Sequence, residues 1–465
     1  MSKYEPVSAE VVAALQTALG AEYVRTDAET LEKYKTDEET DPRYHHLPEV
    51  VVWPGSTEEV AAVMKIANQY NVPATPRSAG TSVSCGAIPV YGGIVLLLER
   101  MDKIEELNTE GMYMVVEAGA RTVEIQEKAN AAGFLYAGDP CSADSCLIGG
   151  NIATNAGGNK AVRYGTTRDQ VYAIEAVTPT GDIVNVGARL KKKSTGYCLE
   201  QLIMGSEGTL GIITKATLKL LPLCPYKLDL LAIFTDLDKA VGLVPNLIKA
   251  GLNPTSVEFM DNAFVRSSSD YCELKLPHYE DGFYVIVTVE TFNEDELESK
   301  MEQLDEICSA SGATDVLEAD DRVWKLRRNC LESTRVLSLV STSDDLVVPV
   351  DQIANCIRHL TKVAENYSFK LFTLAHAGDG NLHFQILKGE MSDEQWEDEV
   401  SRFHAEAYPY VYSLGGRLSG EHGIGAKKVE AMEKYTEPVE MKMMKEIKRA
   451  LDPKNILNPG KVFNA

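Results

Sequence analysis

The pattern of apolar and polar positions opens with a short helix between Ser8 and Gly20. Val11, Val12 and Leu15 share a face, a Ser stands where a helix is capped and a Gly where it stops. Val50-Val51-Val52-Trp53 reads as a strand, and Pro54-Gly55 turns the chain. Ser56 with Glu59 makes a capping-box pattern, after which Val60, Val63, Met64 and Ala67 repeat at helical spacing. Pro73 to Pro76 is short and extended, and Ile94 to Leu98 reads as a buried strand. This strand–helix–strand order predicts an α/β arrangement for the first part of the chain.

From about Leu228 to Ser392 the texture changes. Leu228–Phe234, Ser256–Phe259, Phe283–Glu290 and Leu371–Ala375 read as strands, and Glu294–Cys308 and Gln352–Asn366 as long polar-faced helices. The expectation is an α+β layer with helices on one face of an antiparallel sheet. Ser392 to Ala465 reads as mostly helical, and no internal repeat or low-complexity segment interrupts the chain.

A chain of 465 residues exceeds one compact core, so two or three domains are expected. A formal net charge of −23 argues against a nucleic-acid binder, which needs a basic face. No apolar run approaches the length of a membrane span, and the opening Met1-Ser2-Lys3-Tyr4-Glu5-Pro6 lacks the apolar stretch of a secretion signal. Nine cysteines without a C-x-x-C pair argue against a disulfide framework or a resident iron–sulfur cluster. A reduced, cytoplasmic protein is the expectation.

Three small-residue blocks stand out. Arg77-Ser78-Ala79-Gly80-Thr81-Ser82-Val83-Ser84-Cys85-Gly86 follows a short strand and can offer backbone N–H groups to a phosphate. Gly149-Gly150-Asn151-Ile152-Ala153-Thr154-Asn155-Ala156-Gly157-Gly158 carries no charge and suits backbone pressed against a flat polar ligand. Gly205 to Thr214 adds glycines ahead of a strand. Each alone fits a glycine turn; together they favour a large cofactor. No G-x-G-x-x-G opens a helix and no P-loop occurs, so neither of those nucleotide sites is supported.

Three of the eight histidines fall in two glycine-rich clusters, His376-Ala377-Gly378-Asp379-Gly380-Asn381-Leu382-His383 and Ser419-Gly420-Glu421-His422-Gly423-Ile424-Gly425. Neutral imidazoles and a carboxylate on tight turns are what an open divalent-metal site beside a general base requires. An Asp-Gly hairpin accounts for the first cluster alone, but not for both. Asp344 and Asp345 could in principle bind metal, but a polar loop before a strand explains them as well, and His359 and His404 read as helix-surface or core-edge residues.

These motifs, in this order, resemble the FAD-linked oxidases of the vanillyl-alcohol-oxidase or PCMH type, and within them the D-2-hydroxyacid dehydrogenase branch. The likeness runs from about Pro48 to Phe463. It implies an α+β protein: an N-terminal segment at 1–47, a PCMH-type FAD-binding domain at 48–223, a ferredoxin-like cap over 224–412, and a segment at 413–465 returning to the FAD domain. FAD, held non-covalently, would contact Pro76, Arg77, Ser78, Ala79, Gly80, Thr81 and Ser82 around its pyrophosphate. Further contacts would come from Pro140, Cys141, Ser142, Gly149, Gly150, Asn151, Ala153, Thr154, Asn155 and Gly158, from Glu207, Gly208, Ile212 and Ile213, and from Asn458. Trp324-Lys325-Leu326-Arg327 is similar to a helical motif whose Arg grips a substrate carboxylate. His376, His383 and Glu421 match ligands of Zn²⁺, Fe²⁺ or Mn²⁺, Asn381 a substrate contact, and His422 the proton-abstracting residue.

The chemistry implied is oxidation of a D-2-hydroxy acid, D-lactate first, to the 2-oxo acid. A chelating metal would acidify the hydroxyl, His422 would take its proton, Arg327 would hold the carboxylate, and flavin N5 would receive the hydride. An electron-transferring flavoprotein is the expected acceptor, a quinone or an iron–sulfur subunit the second choice, and a homodimer the default assembly. Glycolate and D-2-hydroxyglutarate are alternative substrates. A metal-dependent hydrolase is the alternative of another class, although H-E-x-x-H is missing.

Overall fold

The computed structural model describes residues 3–39 and 41–465; Met1 and Ser2, with which the expectation about a secretion signal begins, lie outside them. The chain divides into two compact units. The first comprises Met1–Gly157, Gly165–Leu223 and Glu421–Ala465, and the second Gly158–Tyr164 and Cys224–Gly420.

In the first unit the opening helix runs Ala9–Leu19. Ser8 accepts from the Val11 N–H at 3.3 Å, and Gly20 ends the helix at φ +95°. The helix Thr57–Tyr70 buries Val60, Val63, Met64 and Ala67 completely. Its capping differs from a closed box. Ser56 Oγ accepts from Glu59 N–H, but the Glu59 carboxylate reaches past Ser56 to the Gly55 N–H at 2.6 Å.

A four-stranded sheet orders Val24–Arg25, Val50–Val52, Ile94–Leu97 and Ala74–Arg77, the last three in parallel. Beyond the α/β order read from the sequence stands a five-stranded antiparallel sheet: Ile104–Asn108, Tyr113–Glu117, Ile212–Lys219, Val171–Val177 and Ile183–Gly187. The C-terminal segment adds to the first sheet, where Ala74 N–H donates to Ile456 O at 2.9 Å and Asn458 N–H to Ala74 O at 2.8 Å. Lys448 secures it: the buried ammonium pairs with Asp452 at 2.6 Å and donates to the carbonyls of Thr209 and Leu457.

The second unit is built on one seven-stranded antiparallel sheet. Its order is Asp315–Glu318, Tyr226–Phe234, Phe283–Thr291, Ser256–Met260, Lys370–His376, Asn381–Leu387 and Ser341–Val347. The first, sixth and seventh of these were not read from the sequence. Helices on one face only is corrected as well. In Phe283–Thr291, Tyr284 and Ile286 pack with Phe264, Val265, Val323 and Leu326 of neighbouring helices, while the alternating Val285, Val287 and Val289 are equally buried. Because side chains alternate along a strand, this one is covered on both faces. Among the described residues no helix is long and apolar enough to cross a membrane, and all nine cysteines are free thiols.

Candidate functional site

Sheet register assembles the second unit's share of the expected residues. Across the antiparallel pairs His376 stands opposite both Glu258 and Asn381, and His383 opposite both Leu374 and Asp345. Opposed residues point to the same face, and so do residues two apart on one strand. Glu258, His376, Asn381, His383 and Asp345 therefore occupy one face in two adjacent rows. The imidazoles of His376 and His383 stand edge to face with centroids 5.1 Å apart. The turn between their strands depends on Gly380, at φ +84°, where a Cβ would lie 2.0 Å from the Val348 carbonyl oxygen.

Glu258 sits fully buried at the centre of this arrangement. Its Oε1 lies 2.7 Å from His376 Nδ1, and its Oε2 accepts from Arg327 Nη2 at 2.6 Å and Nε at 3.1 Å. Burial raises this carboxyl, but the charges of His376 and Arg327 and their hydrogen bonds outweigh it and hold Glu258 below the usual carboxylate range. Arg327 is thus set apart from the exposed Lys325 and Arg328 of its helix Asp321–Arg328.

Asp345 is the second buried carboxylate on this face. It accepts from Asn381 Nδ2 at 2.7 Å, Ser419 Oγ at 2.6 Å and the Gly420 N–H at 3.1 Å. Asn381, expected as a substrate contact, gives its other amide hydrogen to Leu346 O at 3.1 Å. Both side-chain hydrogens are therefore spent inside the unit, and what Asn381 retains for a ligand is its carbonyl oxygen. Gly420 lies against it, and a Cβ there would approach Asn381 Nδ2 to 2.3 Å.

The loop expected at Asp344 and Asp345 is corrected to the strand Ser341–Val347. The two acids point to opposite faces, and Asp344 takes His404 Nε2 at 2.8 Å and Tyr408 Oη at 2.9 Å. His404 is accordingly a structural partner, stacked on Tyr408 at 4.7 Å, and His359 stacks on Tyr410 at 3.7 Å. Sequence reasoning missed Glu258 and left Asp345 between a metal ligand and a polar loop. The signal for Glu258 was present, since one carboxylate within the apolar run Val257-Glu258-Phe259-Met260 must be compensated if the run is buried.

The first unit carries the small-residue blocks, Glu421 and His422. Arg77 lays its guanidinium against Gly80 of its own loop, donates to Thr36 O at 2.6 Å and lies 5.5 Å from the Tyr34 ring. Gly80, at φ +77°, leaves room for it, because a Cβ would come within 2.1 Å of that guanidinium. Ser78, Ala79, Thr81 and Ser82 are half-buried on the loop, and Ser84 Oγ donates to the His422 carbonyl at 2.9 Å.

In the second block, where a glycine turn was the alternative to a ligand-facing backbone, Gly149 to Thr154 belong to the helix Ile148–Thr154. Its glycines permit close packing: a Cβ on Gly149 would stand 2.7 Å from Ala118 Cβ, and one on Gly150 3.1 Å from Ser78 Cβ. Asn151 donates to Thr122 Oγ1 at 2.7 Å, Thr154 Oγ1 to Gly150 O at 3.0 Å, and Asn155 accepts from Thr166 Oγ1 and the Arg168 N–H, each at 2.9 Å. Cys141 is exposed and Ser142 half-buried beside the buried Pro140, while Gly158 belongs to the second unit.

Glu207 is the hub of the third block. At φ +53° and buried, it accepts the N–H groups of Ile424 and Gly425 at 2.7 and 2.6 Å, and its own N–H donates to Ala153 O at 2.7 Å. Burial pushes its carboxyl up against the pull of those hydrogen bonds. Gly208 sits over Pro76, and Ile212 and Ile213 are core residues at the start of their strand. Glu421 and His422 approach to 3.7 Å, and the space for Glu421 depends on Gly157, where a Cβ would lie 2.5 Å from Glu421 Oε2.

These residues fit a flavin nucleotide on one structural test. Asn458 Oδ1, Ser206 Oγ and Tyr136 Oη are buried without a hydrogen-bond partner among the described residues. They stand in or beside the blocks expected to touch FAD, and buried polar atoms ordinarily have partners. On the second unit the neighbouring imidazoles His376 and His383 are donors that suit Zn²⁺, Fe²⁺ or Mn²⁺.

Two families of known proteins match this chain. The FAD binding domain family matches residues 48–187, and the family FAD linked oxidases, C-terminal domain, matches residues 227–462. A D-lactate dehydrogenase of Anaerostipes hadrus is 36% identical over 425 residues, 89% of this chain and 89% of its own. Glycolate oxidase subunit GlcD of Bacillus subtilis (strain 168) is 35% identical over 427 residues, 91% of this chain and 90% of its own. Among solved structures, p-cresol methylhydroxylase with substrate bound aligns with a TM-score of 0.83 at 17% identity, over 97% of this chain and 96% of its own. That likeness shows the fold, α+β with a PCMH-type FAD-binding part.

Proposed function

We propose that this chain, which belongs to the family of FAD-linked oxidases, oxidises a D-2-hydroxy acid, D-lactate first, to the corresponding 2-oxo acid. It is an FAD-dependent oxidoreductase by family, and the relatives named for D-lactate and glycolate direct the choice of substrate. The observation that carries the reading is the single sheet face holding His376 and His383 side by side, with Arg327 fastened to the carboxylate that His376 also binds. A paired imidazole set for a cation beside a forked guanidinium for a carboxylate matches the two ends of a 2-hydroxy acid.

In this reading Arg327 orients the substrate through its carboxylate, which sets the α-hydrogen for transfer. His422 removes the hydroxyl proton, a task suited to an imidazole whose ordinary pKa lies near ~6.5. Asn381 lends its carbonyl oxygen to the substrate. FAD supplies the acceptor for the hydride. A divalent ion held by His376 and His383, with Glu421 as the third ligand that the resemblance implies, would supply the Lewis acidity that makes the hydroxyl proton removable.

Electrons then pass to a protein acceptor, an electron-transferring flavoprotein in the first instance, with a quinone or an iron–sulfur partner as the alternative. The hydrolase alternative is set aside, because an FAD-binding family match has no place in it. Steady-state assays with an artificial electron acceptor, run on D-lactate, L-lactate, glycolate and D-2-hydroxyglutarate, test the proposal. D-Lactate should be the best substrate, and chelation followed by metal should abolish and then restore turnover. Turnover of none of the four acids by the metal-loaded protein would overturn it.

A further inference from the structure

Glu258 has no part in the reaction just described, yet its place is costly to maintain. It is fully buried in the strand Ser256–Met260, with Val257, Phe259 and Met260 as neighbours in the chain. Removing a carboxylate from water is unfavourable unless partners compensate, and a plain apolar residue would serve a strand at less cost. What distinguishes Glu258 is how it divides its two oxygens. Oε1 faces the imidazole edge of His376, at 2.7 Å, and Oε2 faces the Nε–Nη2 edge of Arg327, at 3.1 and 2.6 Å.

Each contact fixes a chemical property as well as a position. A carboxylate only accepts, so the nitrogen facing it carries the proton, and the lone pair of a neutral His376 then falls on Nε2. An imidazole with its other nitrogen so engaged is aimed and made more basic toward a metal. On the other side, a guanidinium held along one edge has its plane set, and with it the direction in which it meets a second carboxylate. Register makes the sharing possible, because Glu258 pairs directly with His376 in the sheet while Arg327 approaches on the helix Asp321–Arg328.

We propose that Glu258 is a positioning residue serving both ends of the substrate site at once: it sets the ligating tautomer of His376 and the orientation of Arg327, so that affinity for the metal and for the substrate carboxylate decline together when it is changed. This rests on the reading of His376 as a metal ligand and Arg327 as the carboxylate grip.

The test uses the FAD-loaded protein stripped of metal by a chelator. Zn²⁺ affinity is measured by competition with a chromophoric chelator, and KM for D-lactate after reloading, in wild type, Glu258→Gln, Glu258→Asp and Arg327→Ala. A guanidinium only donates and must keep the amide oxygen, so Glu258→Gln turns its NH2 to His376 Nδ1 and moves the ring proton to Nε2, while a shorter Asp keeps the charge but cannot span both. Weakening of Zn²⁺ binding by roughly 10- to 100-fold in Glu258→Gln is expected, the usual effect of losing such an outer partner. KM should rise in the same variant with FAD still bound. Arg327→Ala should raise KM and leave the Zn²⁺ affinity within a few-fold, because His376 keeps its carboxylate.

Wild-type Zn²⁺ affinity in Glu258→Gln, or in Glu258→Asp should the first variant fail to fold, overturns the proposal and reduces Glu258 to a structural ion pair. Failure of the underlying reading shows itself in the wild type instead, as no Zn²⁺ site that His383→Ala weakens. That result removes the proposal with it.

Discussion

Asn458 donates its side-chain amide to the carbonyl oxygen of Glu207 at 2.7 Å, across 251 positions of sequence. Both residues hold left-handed backbone, φ +46° and φ +53°, in which most side chains are strained. The bond joins the C-terminal segment to the third small-residue block. It also holds Asn458 Oδ1 in a buried position without a partner among the described residues.

That arrangement makes Asn458 a test of the flavin contacts. Asn458→Gly keeps the left-handed backbone unstrained and removes the side chain, so a loss can be assigned to the amide. FAD affinity, read from flavin fluorescence on dilution, is expected to weaken by roughly 10-fold, the worth of one good hydrogen bond with its burial. Unchanged affinity would remove Asn458 from the flavin site.

Acid–base behaviour offers a second test, in Asp261. Burial pushes its carboxyl up to about 7 from the ordinary 3.8, against the main-chain hydrogen bonds of Phe264 and Thr373 that pull it down. The folded state therefore holds a proton that the unfolded chain releases. Its stabilising effect is complete below the unfolded value and is lost as pH rises from about 4 through about 7. Asp261→Asn cannot ionise, so urea midpoints taken across that window should fall less steeply with pH than those of the wild type. A parallel slope in both proteins would contradict the assignment.

The hairpin that carries His376 and Asn381 rests on Gly380. Gly380→Ala combines φ +84° with a Cβ 2.0 Å from the Val348 carbonyl oxygen and should cost about 2–4 kcal/mol in urea unfolding. Gly389→Ala is the control. Its φ is +59° and nothing lies within 4 Å of the added Cβ, so only the backbone strain, about 1 kcal/mol, remains. Equal costs would show that the close approach at Val348 does not constrain the turn.

How much of this was legible follows from the range of each signal. The His376 to His383 cluster announced itself because its glycines and histidines are neighbours in sequence. Glu258 did not, since it lies 118 positions from His376 and 69 from Arg327, and only the register of the sheet brings the three together. Asp344 and Asp345 break the alternation expected of a strand, yet each has a buried partner set on its own face. The block at Gly149 and Gly150 defeated local propensity in the other direction. Close packing on Ala118 and Ser78 makes glycine necessary in a helix that composition alone speaks against. The paired strands Asn381–Leu387 and Ser341–Val347 were hidden because polar residues on them, among them Gln385, Ser341 and Asp345, face partners within the protein.

His422 carries the proton transfer in the proposed reaction. His422→Ala should leave FAD bound and slow substrate reduction of the flavin by roughly 10²- to 10⁴-fold, the range of a lost general base. Rapid-mixing absorbance without oxygen gives the rate directly, and an unchanged rate would remove His422 from the role.

The most direct measurement of the whole account is the visible spectrum of the purified, metal-loaded protein under anaerobic conditions, before and after D-lactate. The account predicts a flavin band that bleaches with D-lactate and persists with L-lactate. A protein that shows no flavin band even after FAD is added, or a band that none of the D-2-hydroxy acids bleaches, would contradict it.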